Sequence, residues 1–258
     1  MRFLVVPSLL AALIVAAASC GGGDTETVTE RVTVTETVTS SVPSEAPTEV
    51  TLYFLRDGKV APVSRGVDAG PALGRAAVNE LLDGPEADDE GVQTAIPSGV
   101  GLESLSIAGG VASVELSKPL NTERAEAQLV YTLTQFPTVK RVDYGADAPV
   151  GRRAFEEQTP AVLIESPLPG DSVESGFEVT GTANTFEATF NYELKDASGK
   201  VLSKNFVTAT SGSGTRGTFR FAVPYELGEP QDGTLVVFEL SAEDGSRTHE
   251  SEIPLHLE

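Results

Sequence analysis

The apolar positions fall into three regimes along the chain. Phe3 to Ala18 is an almost continuous apolar run, interrupted by Pro7 and Ser8. From Thr25 to Thr39, threonine stands at nearly every odd position, with Val and Glu between. As a strand, that segment would show one all-threonine face and one face of Glu, Val and Arg. Neither face can found a core, so a stiff, mostly disordered tether is predicted, closed by Pro43 and Pro47. A coil of about 25 residues spans on the order of 25–30 Å. Beyond Val50 the pattern changes to stretches of period two and of period near 3.6, as packed strands and helices require.

Residues 50–147 predict a first folded domain. Val50–Leu55 reads as a strand, Asp57-Gly58 as a hairpin turn and Lys59–Val67 as the returning strand. Leu73, Ala77 and Leu81, with Val78 and Leu82 beside them, predict a helix over Pro71–Leu82 that Gly84-Pro85 stops. Gly99–Ile107 and Val111–Leu116 read as a second hairpin across Gly109-Gly110, its inward set drawn from Val111, Ser113 or Val114, and Leu116. Thr122 is placed to cap a helix over Glu123–Phe136 whose apolar stripe is Ala125, Leu129, Leu133 and Phe136. Pro137 ends it, and Val139–Tyr144 is a last strand. Strands in one layer and two helices in the other make an α+β domain.

Residues 148–160 contain Pro149, Gly151 and Arg152-Arg153 and read as a short hinge. Residues 161–258 show no helical pattern. Short strands recur at Ala161–Glu165, Phe177–Thr180, Glu187–Leu194, Val201–Thr208, Thr218–Val223, Leu235–Ala242 and Glu250–Leu257, with turn signals between them. That spacing predicts an all-β, immunoglobulin-like sandwich without the cysteine pair and core tryptophan of antibody domains.

The N-terminus changes the picture of where these domains sit. Met1-Arg2 is a short positive start, and the apolar run ends in Ala17-Ala18-Ser19-Cys20. This order is that of a secretory signal, and the run is too short for a comfortable membrane span. Small residues before a cysteine form a lipobox, so residues 1–19 are expected to be a lipoprotein signal peptide. Cys20, the only cysteine, is then the lipidation site at the head of the 20–49 tether. The expected location is the extracytoplasmic face of a membrane, held by lipid. Threonine O-glycosylation is a second use open to the tether. The formal net charge is −20, and cleavage after Ser19 removes only Arg2. Nucleic acid and anionic headgroups are therefore poor partners.

The first domain resembles a GerMN domain, the module of spore-germination and sporulation lipoproteins. The residues carrying the resemblance are Val50–Phe54, Ala61–Arg65, Ala76–Pro85, Thr94–Pro97, Gly110–Ser117 and Gln128–Phe136. The second is similar to the immunoglobulin-like domain that often follows GerMN, through Ser166–Gly170, Val179–Ala183, Phe186–Ala188, Phe238–Ser241 and Ile253–Leu255. The resemblance implies a ring-building-motif-like α+β fold used in envelope assembly. It implies no catalytic residue.

Candidate chemistry is thin. His249 and His256 lie in the final strand region at an odd separation, which puts them on opposite sides of a regular strand and argues against a shared metal. Asp88-Asp89-Glu90 lacks the spaced oxygen ligands and glycine of a calcium loop. Tyr131, Thr134 and Gln135 lie off the stripe of the second helix, whose polar side (Gln128, Thr132, Thr134, Gln135) is uncharged in an acidic protein. Loss of charge marks interface cores, so this side is a candidate partner face. The expectation is a non-enzymatic assembly or binding module of the cell envelope, without cofactor or metal, meeting envelope proteins or cell wall. The alternative is a glycan- or solute-binding lipoprotein, with Tyr192 and Tyr225 as candidate glycan contacts.

Overall fold

The computed structural model describes residues 47–258, apart from 69, 88 and 90. The signal segment, Cys20 and nearly all of the tether lie outside the described residues.

The first domain opens with strands β1 (Thr48–Arg56) and β2 (Lys59–Val67), paired antiparallel from Thr48↔Val67 to Arg56↔Lys59. Asp57 and Gly58 connect them with φ of 52° and 76°. A two-residue hairpin needs that left-handed pair, and Asp-Gly supplies it at low cost. Helix α1 (Leu73–Asp83) buries Ala77, Val78 and Leu81. Strands β3 (Leu102–Ala108) and β4 (Val111–Leu116) form the second hairpin. After helix α2 (Glu123–Leu133), strand β5 (Arg141–Asp143) joins β4 in parallel, giving the order β3-β4-β5. On β4 the inward phase falls on Ala112 and Val114. The domain is α+β, with its strands in two ladders around the helices.

Helix α2 starts where Thr122, in extended conformation, accepts a hydrogen bond from the Ala125 N–H at 3.2 Å. It ends at Leu133, three residues before the end that periodicity predicts. There Thr134 Oγ1 donates back to the Val130 carbonyl at 2.6 Å, and the Phe136 N–H reaches only the Leu133 carbonyl. The ladder tightens and stops. Every residue from Ala127 to Leu133 is buried, the polar Gln128 and Thr132 included, because α1, β1 and the following linker enclose the helix.

The segment read as a hinge is a seated element. Val150 bridges to Val142, and Arg152–Gln158 forms a 3-10 helix kinked at Phe155, whose side chain is buried in the first core. One aromatic on a tight turn leaves no periodicity to read in the sequence.

The second domain is a β-sandwich. Strands β6 (Val162–Ser166), β7 (Ser172–Val173), β8 (Phe177–Ala183), β9 (Thr189–Asp196), β10 (Val201–Thr208), β11 (Gly217–Val223), β12 (Gln231–Leu240) and β13 (Arg247–Leu257) follow in order. One sheet runs β10-β9-β12-β13-β7 and the other β11-β8-β6. Phe190, Leu194, Val179, Val223, Leu235, Val237 and Leu257 fill the space between them. Gly181 on β8 is fixed by close approach, since a Cβ there would lie 2.0 Å from the Leu163 carbonyl oxygen. Leu163 itself packs into the first domain's core, so β6 serves both domains.

Candidate functional site

Strand β1 is paired on one side only, so the other edge leaves the backbone groups of Thr51, Tyr53 and Leu55 to be satisfied elsewhere. The polar side of α2 does this. Gln135 accepts the Thr51 N–H at 2.7 Å through Oε1, while its Nε2 donates to the Thr51 and Thr132 carbonyls. Thr132 Oγ1 accepts the Tyr53 N–H at 3.0 Å. Leu55 exchanges two bonds of 2.8 Å with Gln93. Gln128 Oε1 accepts the Ala95 N–H at 2.7 Å. Thr132 and Gln135 thus stand in for a missing neighbouring strand, while Gln128 holds the Thr94–Ala95 segment.

Beside them lies a polar cluster where the two domains meet. The Arg152 guanidinium sits 5.1 Å from the Tyr53 ring centroid and 4.6 Å from that of Tyr131. It pairs with Glu165 Oε1 of β6 at 2.5 Å and donates through Nε to Thr134 Oγ1 at 2.7 Å. Tyr53 OH donates to the same Glu165 oxygen at 2.6 Å. Tyr131 OH meets Thr159 Oγ1 at 2.7 Å, and Thr159 donates onward to the Phe155 carbonyl. A second tie binds the linker to the sandwich: Arg216 pairs with Glu156 at 2.9 Å and donates to the Pro160 carbonyl, and Asn184 Nδ2 donates to Glu156.

Burial raises the Tyr53 and Tyr131 hydroxyl pKa values, so both stay neutral donors. Burial works against the charge on Arg152, but the charge and hydrogen bond of Glu165 help to outweigh it, and the pKa is raised. Burial also works against Glu156 ionisation, yet the hydrogen bonds from Arg216 and Asn184 hold its carboxyl below the ordinary range.

Residues 51–143 match the family described as sporulation and spore germination, and residues 161–246 match the immunoglobulin-like domain of bacterial spore germination. The chain joins a GerMN domain to a spore-germination immunoglobulin-like domain. Among solved structures, the tandem GerMN domains of the sporulation protein GerM from Bacillus subtilis align at 26% identity, TM-score 0.38. That alignment covers 42% of this chain and 45% of theirs, so the chain spans less than half of that structure. The first GerMN domain of the same protein aligns at 19% identity over 38% of this chain and 84% of its own, TM-score 0.33. CopC from Methylosinus trichosporium OB3b aligns at 16% over 38% of this chain and 93% of its own, TM-score 0.26. No curated protein matches the sequence.

In the GerMN domain, the structure brings the predicted partner-face residues Tyr131, Thr134 and Gln135 together but turns them inward. Tyr131 is 1% exposed, and Thr134 and Gln135 are half-buried in the bonds just described. The absence of charge reflects this internal role, since a carboxylate cannot supply the donors that the Thr51 and Thr132 carbonyls require. Asp89 of the acidic loop is occupied by Arg65 at 2.7 Å and by the Glu86 N–H; Asp88 and Glu90 lie outside the described residues, as does Cys20.

In the immunoglobulin-like domain, Tyr192 and Tyr225 are buried and cannot be surface contacts. Tyr192 stacks on Phe221 with centroids 4.8 Å apart, and Tyr225 OH donates to the Val173 carbonyl at 2.6 Å. His249 Nδ1 faces Glu239 at 2.6 Å, and His256 Nδ1 faces Asp232 at 3.1 Å, so the two histidines have separate carboxylate partners. The aromatics that do reach solvent are Phe186 and Phe206, 65% and 66% exposed. Phe206 alternates with the inward Val207 on β10, and strand phase is the signal that marks it as outward.

Proposed function

We propose that this chain is a membrane-tethered, extracytoplasmic lipoprotein acting as a non-enzymatic binding module in sporulation- or germination-related envelope assembly. The observation that carries the reading is the apolar run closing in Ala17-Ala18-Ser19-Cys20, followed by a threonine-rich tether and the two germination-type domains. Diacylation of Cys20 supplies the two chains that stable anchoring needs. The tether sets the reach of the folded part from the bilayer, and the Arg152 and Glu156 ties present both domains in one fixed relation. His249, His256 and the acidic-loop Asp89 each face a separate partner, so they do not converge on one site.

Metabolic labelling with a palmitate analogue tests the anchor. Wild type takes up label and fractionates with membranes, and Cys20→Ser loses both. Equal label in the two proteins overturns the lipoprotein reading.

A further inference from the structure

The margin of the five-stranded sheet leaves a strand edge open. β10 ends the order β10-β9-β12-β13-β7, and its ladder partner is β9. Backbone groups along such a strand point alternately toward its neighbour and away from it. The Ala209 N–H bonds the Ala188 carbonyl just before β9, so Asn205 and Val207, in the same phase, turn their groups toward β9. Lys204, Phe206 and Thr208 turn theirs outward. Thr210, next in that series, reaches the Thr218 carbonyl of β11 at 2.9 Å, which closes the edge at one end. A register break between Val201 and Ser203 closes it at the other. The open stretch is Lys204–Thr208, and its centre is Phe206. There the Phe206 N–H is met by its neighbour's side chain, Asn205 Oδ1, at 2.9 Å, and the ring stands 66% exposed. The other sheet margins differ. α2 holds the free edge of β1, β2 contains Pro62, β5 is bridged by Val150, and β7 has two residues. β6 lies in the domain junction, β3 carries Glu103, and Arg220 of β11 is tied to Glu178.

We propose that β10 pairs antiparallel with β10 of a second copy about a two-fold axis at Phe206, joining the two five-stranded sheets. The open stretch is symmetric about that residue, as a self-complementary contact requires. Phe206 exchanges N–H and C=O with its counterpart, and the Asn205 side chain yields the N–H to the second copy's carbonyl. Lys204 lies opposite Thr208 of the second copy, and Thr208 opposite its Lys204. Directly opposed side chains share a face of the sheet about 5 Å apart, so the two exposed rings cover each other. Charge favours this edge. Two copies with a formal charge of −20 repel each other, but β10 carries no carboxylate, and Glu193, across from Lys204 on β9, is held by Arg247 at 2.7 Å. The register also keeps the two Lys204 positions four residues out of step, about 14 Å along the strands. So short an edge buries less than the roughly 1,200 Å² of a stable complex, so the pairing is weak and reversible. It goes beyond the anchoring reading and needs no lipid, so the two fail separately.

The test is disulfide trapping in the mature chain, produced without lipid and with Cys20→Ser so that no native thiol competes. Lys204→Cys and Thr208→Cys are made separately, both at exposed positions. In the proposed register these residues face each other as a hydrogen-bonded pair with Cα atoms about 5.5 Å apart, within disulfide range. Each is about 14 Å from its own counterpart, beyond that range. In a thiol–disulfide buffer the equimolar mixture should therefore accumulate covalent dimer, and neither variant alone should. Adding Phe206→Ala to both chains should lower the yield by up to about tenfold, the weight of one aromatic pair. Phe186→Ala, a substitution of an equally exposed ring outside β10, should leave the yield unchanged. No covalent dimer in the mixture, equal dimer from either variant alone, or a yield indifferent to Phe206→Ala would overturn the proposal.

Discussion

Gln135 closes the free edge of β1 with both ends of its amide, accepting from the Thr51 N–H and donating to two carbonyls. A carboxylate keeps the acceptor and loses the donors, and it faces the carbonyls with negative charge. Gln135→Glu should therefore destabilise the protein by about 1–3 kcal/mol, the cost of leaving partly buried polar groups unsatisfied. Thr132→Val, which strands the Tyr53 N–H, should cost a similar amount. Urea unfolding reads both. Losses under about 0.5 kcal/mol, the ordinary figure for surface changes, would mean that α2 does not serve as a surrogate strand.

Among the elements, α2 bears the most. Its N-terminus depends on one side-chain bond, so Thr122→Ala should cost about 1 kcal/mol. Leu129 and Leu133 are fully buried, and truncating either to Ala should cost about 2–5 kcal/mol. Apolar periodicity placed this helix and its cap, because an amphipathic stripe is written locally in the chain. It could not show that the opposite side is covered too, since the burial of Gln128, Thr132 and Tyr131 depends on the Thr94–Ala95 segment, β1 and the linker, all distant in sequence. The strands of the sandwich were legible for the same local reason. The two-residue β7, paired in parallel with the end of β13, was not, because two residues carry no alternation.

At the scale of the whole molecule, the linker decides how the two domains behave, and both fall within one compact unit. Arg152, held by Tyr53, Tyr131, Thr134 and Glu165, joins β1, α2 and β6. Scanning calorimetry should show one transition for wild type and two for Arg152→Ala, as the sandwich uncouples from the GerMN domain. A single unshifted transition in the variant would show that the cluster does not couple them. Residues 161–258 should still fold alone as an all-β unit, because their core is complete, but should melt below the same domain in the whole chain, with Leu163 left exposed. Circular dichroism checks both points. Glu156 adds a pH term. Its carboxyl pKa is lowered in the folded state, so the unfolded chain takes up the proton first as pH falls. The Arg216 tie should contribute fully at neutral pH and fade as pH drops below the ordinary glutamate range, about 4.3, toward the lower folded value. The stability gap between wild type and Glu156→Gln should close over that interval.

By itself the sequence determined the α+β domain, the sandwich after it, the Asp57-Gly58 turn and the Thr122 cap, all of which follow from side-chain period and turn chemistry within a few residues. The expected lipid anchor at Cys20 is likewise a local pattern, and it awaits the labelling test. Only the tertiary structure decided that the hinge is a seated 3-10 helix, that the uncharged side of α2 faces inward, and that Tyr192 and Tyr225 are buried while Phe206 reaches solvent. The physical reason is common to all three. Whether a polar or aromatic side chain meets water depends on which remote backbone lies over it, and the order of residues along one segment does not contain that information.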